Sequence, residues 1–254
     1  MDPRQYSDIA QANIPYDIVP LPSQGMFYPS KVNELKVAYL TASDENLLSS
    51  PNLIESGNLI EELLRRKILG TEILVSDMLE CDKQAILIFL RNTSYGPIYE
   101  FNLKDPANGN SFKYSHDLSK VSMRDFTLIP DEKDEFEFTL PQTNKPLKFK
   151  FLTSQAETEL EKLKEAYSTN GQVAPIVTRR LELLIQEIEG ERDKEKLSQI
   201  IQTMPIRDSQ EFKKFVRNNQ PGLELSITVK APSGEDITTA VVFGAHFFRP
   251  FFGV

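Results

Sequence analysis

The sequence predicts an α+β fold. It consists of an antiparallel sheet, built from a meander and a C-terminal hairpin, with N-terminal helices and an inserted helical segment. Three observations predict it. Apolar residues recur at helical spacing over 56–70, over 81–96 and again over 154–220. Between these stretches, over 97–153, the period falls to two and turn-forming residues separate short runs. Period two then returns over 223–248 around the turn sequence APSGED. The 254 residues allow one large domain or two modest ones. The segments expected are an extended arm (1–31), an α+β core (32–153), a helical insertion (154–221) and a hairpin with an aromatic tail that completes the core sheet (222–254).

Each element has a local reason. Residues 1–31 carry Pro3, Pro15, Pro20, Pro22 and Pro29, which disfavour helix and hold their predecessors extended. Within this arm LPSQGMFYP turns at Ser23–Gly25 and presents Met26, Phe27 and Tyr28 together. ELKVAYL (34–40) alternates Leu35, Val37 and Tyr39 as a strand does. TASDENLLSS offers Thr41 or Ser43 as an N-cap with acids in the first turn, so a short helix follows. SGNLIEELLRRKILG (56–70) gathers Leu59, Leu63, Leu64 and Ile68 on one face, and Gly70 ends it. CDKQAILIFLRNTSYG (81–96) is apolar on most sides, the mark of a central helix, with Asp82 as its expected cap and Gly96 as its breaker.

The meander follows as PIYEFNLK, NSFKYSHDL, MRDFTLIP, DEFEFTLP and KPLKFKFL. Turns at DPANGN, PDEKD and PQTNKP separate these runs. Helices return with Ala156, Leu160, Leu163 and Tyr167, and then with Val177, Leu181, Leu184 and Ile188. Both sets are spaced by four, three and four. Two further helices, EKLSQIIQTMP and DSQEFKKFVRNNQPG, stop at Pro205 and at Pro221–Gly222. Leu225, Ile227 and Val229 open the hairpin, and Ile237 to Phe243 return it.

Composition excludes several functions. The net charge is −8, which argues against nucleic-acid wrapping and against docking on anionic lipid. The paired arginines at 65–66 and 179–180 lie beside acids on helices, so they read as ion-paired faces and not as a phosphate-binding patch. The apolar run AILIFL (85–90) is far shorter than the roughly 20 residues of a membrane span. One cysteine, Cys81, precludes an intrachain disulfide and suits a reducing compartment, so a cytoplasmic protein is expected. A nucleophile–base pair of Cys81 with His116 has no local signature to support it. His116 and His246 stand far apart, and neither phosphate-loop nor dinucleotide-binding glycine motifs occur. The acids of DMLECD (77–82) lack calcium-loop spacing and fit helix capping at Asp77 and Asp82 better. No enzyme, no cofactor and no metal are therefore expected. What remains are aromatic ends and a helical insertion, features of a protein that binds proteins.

Three stretches in order resemble the T4-type bacteriophage baseplate protein family: LPSQGMFYP (21–29), LRNTSYGPIYEFNL (90–103) and the terminal FFRP (247–250). The likeness covers about 20–120 and then only the tail. It implies a role in building the central hub of a contractile-tail baseplate, with other phage baseplate hub proteins as partners and homo-oligomerisation left open. Some members carry paired cysteines suggestive of a zinc knuckle after the second motif. Here DPANGNSF (105–112) offers no ligand before His116, so the loop is expected to be metal-free. Two roles fit: a hub assembly factor that acts without covalent chemistry, or a structural hub subunit that stays in the virion.

The partner-binding candidates are Phe247, Phe248, Phe251, Phe252, Met26, Phe27 and Tyr28. Each of these can instead close the protein's own core. Phe251 and Phe252 follow Pro250, which ends regular strand pairing, and they are the residues expected to need a partner most.

Overall fold

The structure, a computed structural model, describes residues 15–169 and 173–248. The proline-rich arm enters as strand β1 (Tyr16–Pro20), antiparallel to β2 (Glu34–Ala38) with Ile18 opposite Lys36. β1 lies at the sheet edge, where the N–H that Pro20 lacks is not needed. Thr41 then caps α1 (Ala42–Leu48), and the Asp44 carboxylate reaches back to accept the Thr41 N–H at 2.7 Å. α2 (Pro51–Glu55) begins on its proline. α3 (Leu59–Lys67) buries Leu59, Leu63 and Leu64, and its exposed arginines pair with acids of the preceding turn, Arg65 with Glu61 and Arg66 with Glu62. At its end Lys67 forms a buried ion pair with Asp44. Burial alone would raise the Asp44 pKa, but the bonds from Lys67 and Thr41 outweigh it and hold the carboxyl below its ordinary range. β3 (Ile68–Leu69) completes the sheet in the order β1–β2–β3.

The central helix, α4 (Glu80–Tyr95), buries Ala85, Ile86, Leu87, Ile88 and Leu90. Gly96 stops it at φ +81°, a backbone conformation open to glycine, and Pro97 turns the chain into a strand. β4 (Ile98–Lys104) and β5 (Ser111–Asp117) form a hairpin with Phe101 opposite Tyr114. The Asp105 carboxylate accepts the Ala107 N–H within the hairpin turn (3.0 Å) and the Ser233 N–H from a distant turn (3.0 Å).

Beyond β5 the structure departs from the expected meander. MRDFTLIP forms no strand, only one bridge between Met123 and Leu223. Strands resume as β6 (Phe136–Thr139) and β7 (Pro146–Phe149), followed by α5 (Ser154–Thr169) and α6 (Ile176–Leu184). The helix expected across 174–190 stops at Leu184, and Ile185–Ile188 become β8 against β7. Both isoleucines are buried there. Had the helix continued, the edge of β7 would have kept unpaired main-chain groups, and two β-branched residues suit a strand at least as well as a helix. The paired arginines of α6 meet acids of α5, Arg180 with Glu157 at 2.6 Å and Arg179 with Glu159 at 2.7 Å. α7 (Lys194–Gln202), α8 (Ile206–Asn219), β9 (Ser226–Lys230) and β10 (Asp236–Ala240) end the regular elements.

These elements fall into two units. One contains the described residues up to Val75, Cys81–Arg124 and those from Gly222 onward; the other contains Ser76–Glu80 and Asp125–Pro221. The antiparallel strands are accordingly distributed over small sheets. β1–β2–β3, β4–β5 and β9–β10 belong to the first unit, and β6–β7–β8 to the second.

The second unit has a phenylalanine core. Phe136, Phe149 and Phe212 are fully buried, with ring centroids 5.6 Å apart for Phe136–Phe149 and 5.3 Å for Phe149–Phe212. Asp208 on α8 secures the β6–β7 turn. Its carboxylate accepts the N–H groups of Gln142 (2.6 Å) and Thr143 (3.1 Å) and the Thr143 hydroxyl (2.7 Å). Burial raises the Asp208 pKa, but these donors more than reverse it, so the carboxyl titrates below its ordinary range. A depressed pKa contributes stability that is present above the unfolded-state value and lost as pH falls through the folded-state value. Asp208→Asn should therefore lower the urea midpoint at pH 7, and the gap to the parent protein should close as pH falls below about 4. A gap that stays constant with pH would contradict this account.

Candidate functional site

The buried residues of α4 are mostly apolar, yet they include two charged side chains, Asp82 and Arg91. They stand nine positions apart, about two and a half turns, so they leave opposite sides of the helix. Each meets one of the chain's two aromatic segments.

Asp82 holds the N-terminal segment. Its carboxylate accepts the Ser23 N–H at 2.9 Å and the Tyr28 hydroxyl in a short hydrogen bond. It therefore does not serve as the cap expected from sequence; it clasps a loop 54 and 59 residues away in the chain. Burial raises its pKa, and the bonds from Ser23 and Tyr28 offset that only in part. The loop is closed at its base by the Leu21 N–H donating to the Asn33 carbonyl (2.8 Å), and Lys31 Nζ donates to the Met26 carbonyl (2.8 Å). Gln24 and Gly25 both have positive φ. A Cβ on Gly25 would lie 2.3 Å from the Val32 carbonyl oxygen, so the tight turn depends on glycine. Leu21 and Tyr28 are buried, whereas Met26 and Phe27 are half-buried.

Arg91 holds the C-terminal segment. It is 1% exposed. Its guanidinium donates to the carbonyls of Phe247 (2.6 Å) and Ile98 (3.1 Å), and lies 5.0 Å from the Tyr99 ring centroid and 5.4 Å from that of Phe247. The chain from Ala245 to Phe248 forms a 3₁₀ turn that seats Phe247 and Phe248 at full burial. Phe247 packs 5.3 Å from Tyr99, 4.9 Å from Phe243 and 5.2 Å from Phe248. These rings make a single aromatic cluster over the C-terminal turn of α4.

The sequence candidates thus divide. Tyr28, Phe247 and Phe248 spend their apolar surface inside the fold, while Met26 and Phe27 keep part of theirs outside. Phe251 and Phe252 lie outside the described residues. Sequence reasoning missed Arg91 and assigned Asp82 to the wrong role. The available signal was a charge on either side of the apolar run 85–90. Cys81 is buried beside Asp82, and burial together with that neighbouring carboxylate pushes its thiol pKa up, which disfavours the thiolate a nucleophile needs.

An apolar groove of about 300 Å³ runs along β1, lined by Ile18, Ile88, Phe89, Val121, Met123 and Leu223. Among the described residues no cluster of three or more His, Cys, Asp or Glu could hold a metal ion, and no helix is long and apolar enough to cross a membrane.

A family model described as T4 bacteriophage base plate protein matches residues 16–249. The chain belongs to that family. No curated protein and no solved structure matches it. The matched span of this base plate protein begins at β1 and closes just past the Phe247–Phe248 turn, so it includes both segments that α4 anchors.

Tyr28→Phe should leave the Asp82 carboxylate buried with one donor fewer and destabilise the protein by about 1–3 kcal/mol in urea melts. A change within error would mean that the clasp is held by the Ser23 bond and packing alone.

Proposed function

We propose that this base plate protein is a hub assembly factor. It binds other hub proteins without covalent chemistry, acts in the host cytoplasm, and promotes assembly of the central hub of a contractile tail. Membership of the base plate family supplies the coarse role. The observation that carries the finer reading is the loop 21–33: an apolar pair, Met26 and Phe27, half-exposed on a turn fixed at its base by Leu21–Asn33 and at its side by Asp82. A preorganised apolar knob loses little conformational entropy on docking, which favours selective yet reversible contact. Hub subunits awaiting assembly are the natural receptors, since their interfaces are still uncovered. Phe251 and Phe252 are proposed to add a second contact from the C-terminal tail.

The test is hub assembly in infected cells complemented with variants. Met26→Ala combined with Phe27→Ala should fold with a urea midpoint close to that of the parent and reduce completed hubs at least severalfold. Deleting 249–254 should do the same. Assembly at the parental level by both folded variants would refute partner docking at these segments. Mass spectrometry of purified tails separates the assembly factor from a retained structural subunit: the factor is absent or far below stoichiometric, and stoichiometric peptides would overturn its transient role.

A further inference from the structure

The first unit carries a second exposed surface, apart from the Met26–Phe27 turn. β1 is the outer strand of its sheet, so one of its edges faces no strand. The register tells which groups lie on that edge. The Leu21 N–H donates to the Asn33 carbonyl and the Tyr39 N–H to the Pro15 carbonyl, so the odd-numbered residues turn their main chain toward β2. Successive main-chain groups of a strand point to opposite edges, so Tyr16, Ile18 and Pro20 turn theirs outward. Tyr16 and Ile18 are 48% and 49% exposed. The Ile18 N–H meets only a local substitute for a strand, the exposed carboxylate of Asp17 at 2.8 Å.

Along the same strand runs the apolar groove of about 300 Å³. Besides β1 it is lined by Ala85, Ile88 and Phe89 of α4 and by Val121, Met123 and Leu223. An uncovered strand edge is a template for another strand. Aliphatic walls beside it can receive every second side chain of that strand.

We propose that the β1 edge and this groove dock an extended segment of another protein, which adds a strand beside β1. The partner segment has apolar residues at every second position, which enter the groove, and a basic residue that meets Asp17. The edge selects an extended backbone, because a helix keeps its main-chain groups for itself and has none to offer Tyr16 and Ile18. A second β1 fits poorly. In an antiparallel pair centred on Ile18, Pro20 of each copy would face Tyr16 of the other without an N–H to give, and both Asp17 carboxylates would crowd one seam.

The experiment is ¹⁵N-edited NMR on the full chain, following the Tyr16 and Ile18 amides. The probe is the blocked heptapeptide N-acetyl-Lys-Val-Thr-Val-Thr-Val-Lys-amide. Saturable shifts of both amides are expected at about 1 mM, together with slower exchange of the Ile18 N–H. Two further versions carry N-methyl groups on the threonines or on the valines. Only one of these sets can face β1, so one version should bind about tenfold more weakly, and the other should bind like the parent. A peptide of the same side chains made helical with α-aminoisobutyrate should not bind.

Two variants test the protein side. Ile18→Pro removes an outward N–H that the ladder with β2 does not use, so the fold should persist and binding should be lost. Met123→Glu places a charge on a groove residue that is 43% exposed and should weaken binding severalfold with the fold intact. No saturable shift, loss or retention of binding by both N-methylated versions, equal binding of the helical peptide, or indifference to both variants would overturn the proposal. A dimer of the full chain that Ile18→Pro dissociates would assign the edge to a second copy and overturn it too. The assay uses purified protein and a designed peptide, so its failure leaves the hub-assembly reading untouched, and the reverse also holds.

Discussion

Two buried charges on one helix organise the first unit. α4 sits at the centre because its middle turns, from Ala85 to Leu90, are apolar, and such a stretch is stable only when covered. Apolar packing alone would allow many coverings, since it has no direction. Asp82 and Arg91 remove that freedom. Each would be strongly destabilising if left without partners. Asp82 finds them in the Ser23 N–H and the Tyr28 hydroxyl, and Arg91 in the carbonyls of Phe247 and Ile98. A helix that leaves one charge on each side thereby fixes both where the N-terminal loop lies and where the C-terminal turn lies.

The two charges are compensated differently. Asp82 accepts from neutral donors in a dry site, so burial outweighs the bonds and its pKa rises. Arg91 meets carbonyls and ring faces, which stabilise a cation without neutralising it. The second unit uses a third arrangement. Asp208 accepts three donors from one turn, which is enough to reverse the cost of burial and hold the carboxylate ionised. The direction of each shift follows from the number and kind of donors, not from depth of burial alone.

The aromatic C-terminus shows how this bears on function. A sequence that ends in phenylalanines invites the idea of a sticky tail. In the structure, Phe247 and Phe248 serve the chain's own core, and Arg91 ties the main chain that carries them. Met26 and Phe27 are half-buried, on a loop whose shape Gly25 and Asp82 fix. Within this short motif Tyr28 is fully buried, its hydroxyl bonded to Asp82, while Met26 and Phe27 are half-buried.

Much of the secondary structure was legible in the sequence because periodicity and capping are local. Leu59, Leu63 and Leu64 mark α3, Thr41 with Asp44 marks the start of α1, and Tyr99, Phe101 and Leu103 mark the inner face of β4. The α+β class and the family resemblance followed from that order of periods and motifs. Other features were decided only by tertiary contact. Ile185 and Ile188 continue a helical spacing but become a strand because β7 has an edge to pair. Phe126 and Leu128 alternate like a strand but form none, and Phe126 packs its ring 5.9 Å from those of Phe136 and Phe151. The role of Asp82 could not be read from its neighbours, because its partners lie 54 and 59 residues away. The sequence by itself determined which segments could be helix or strand, since side-chain spacing acts within a few residues. Only the tertiary structure decided which edges met and which aromatic residues turned inward, since the hydrogen bonds and buried charges that settle this join residues far apart in the chain.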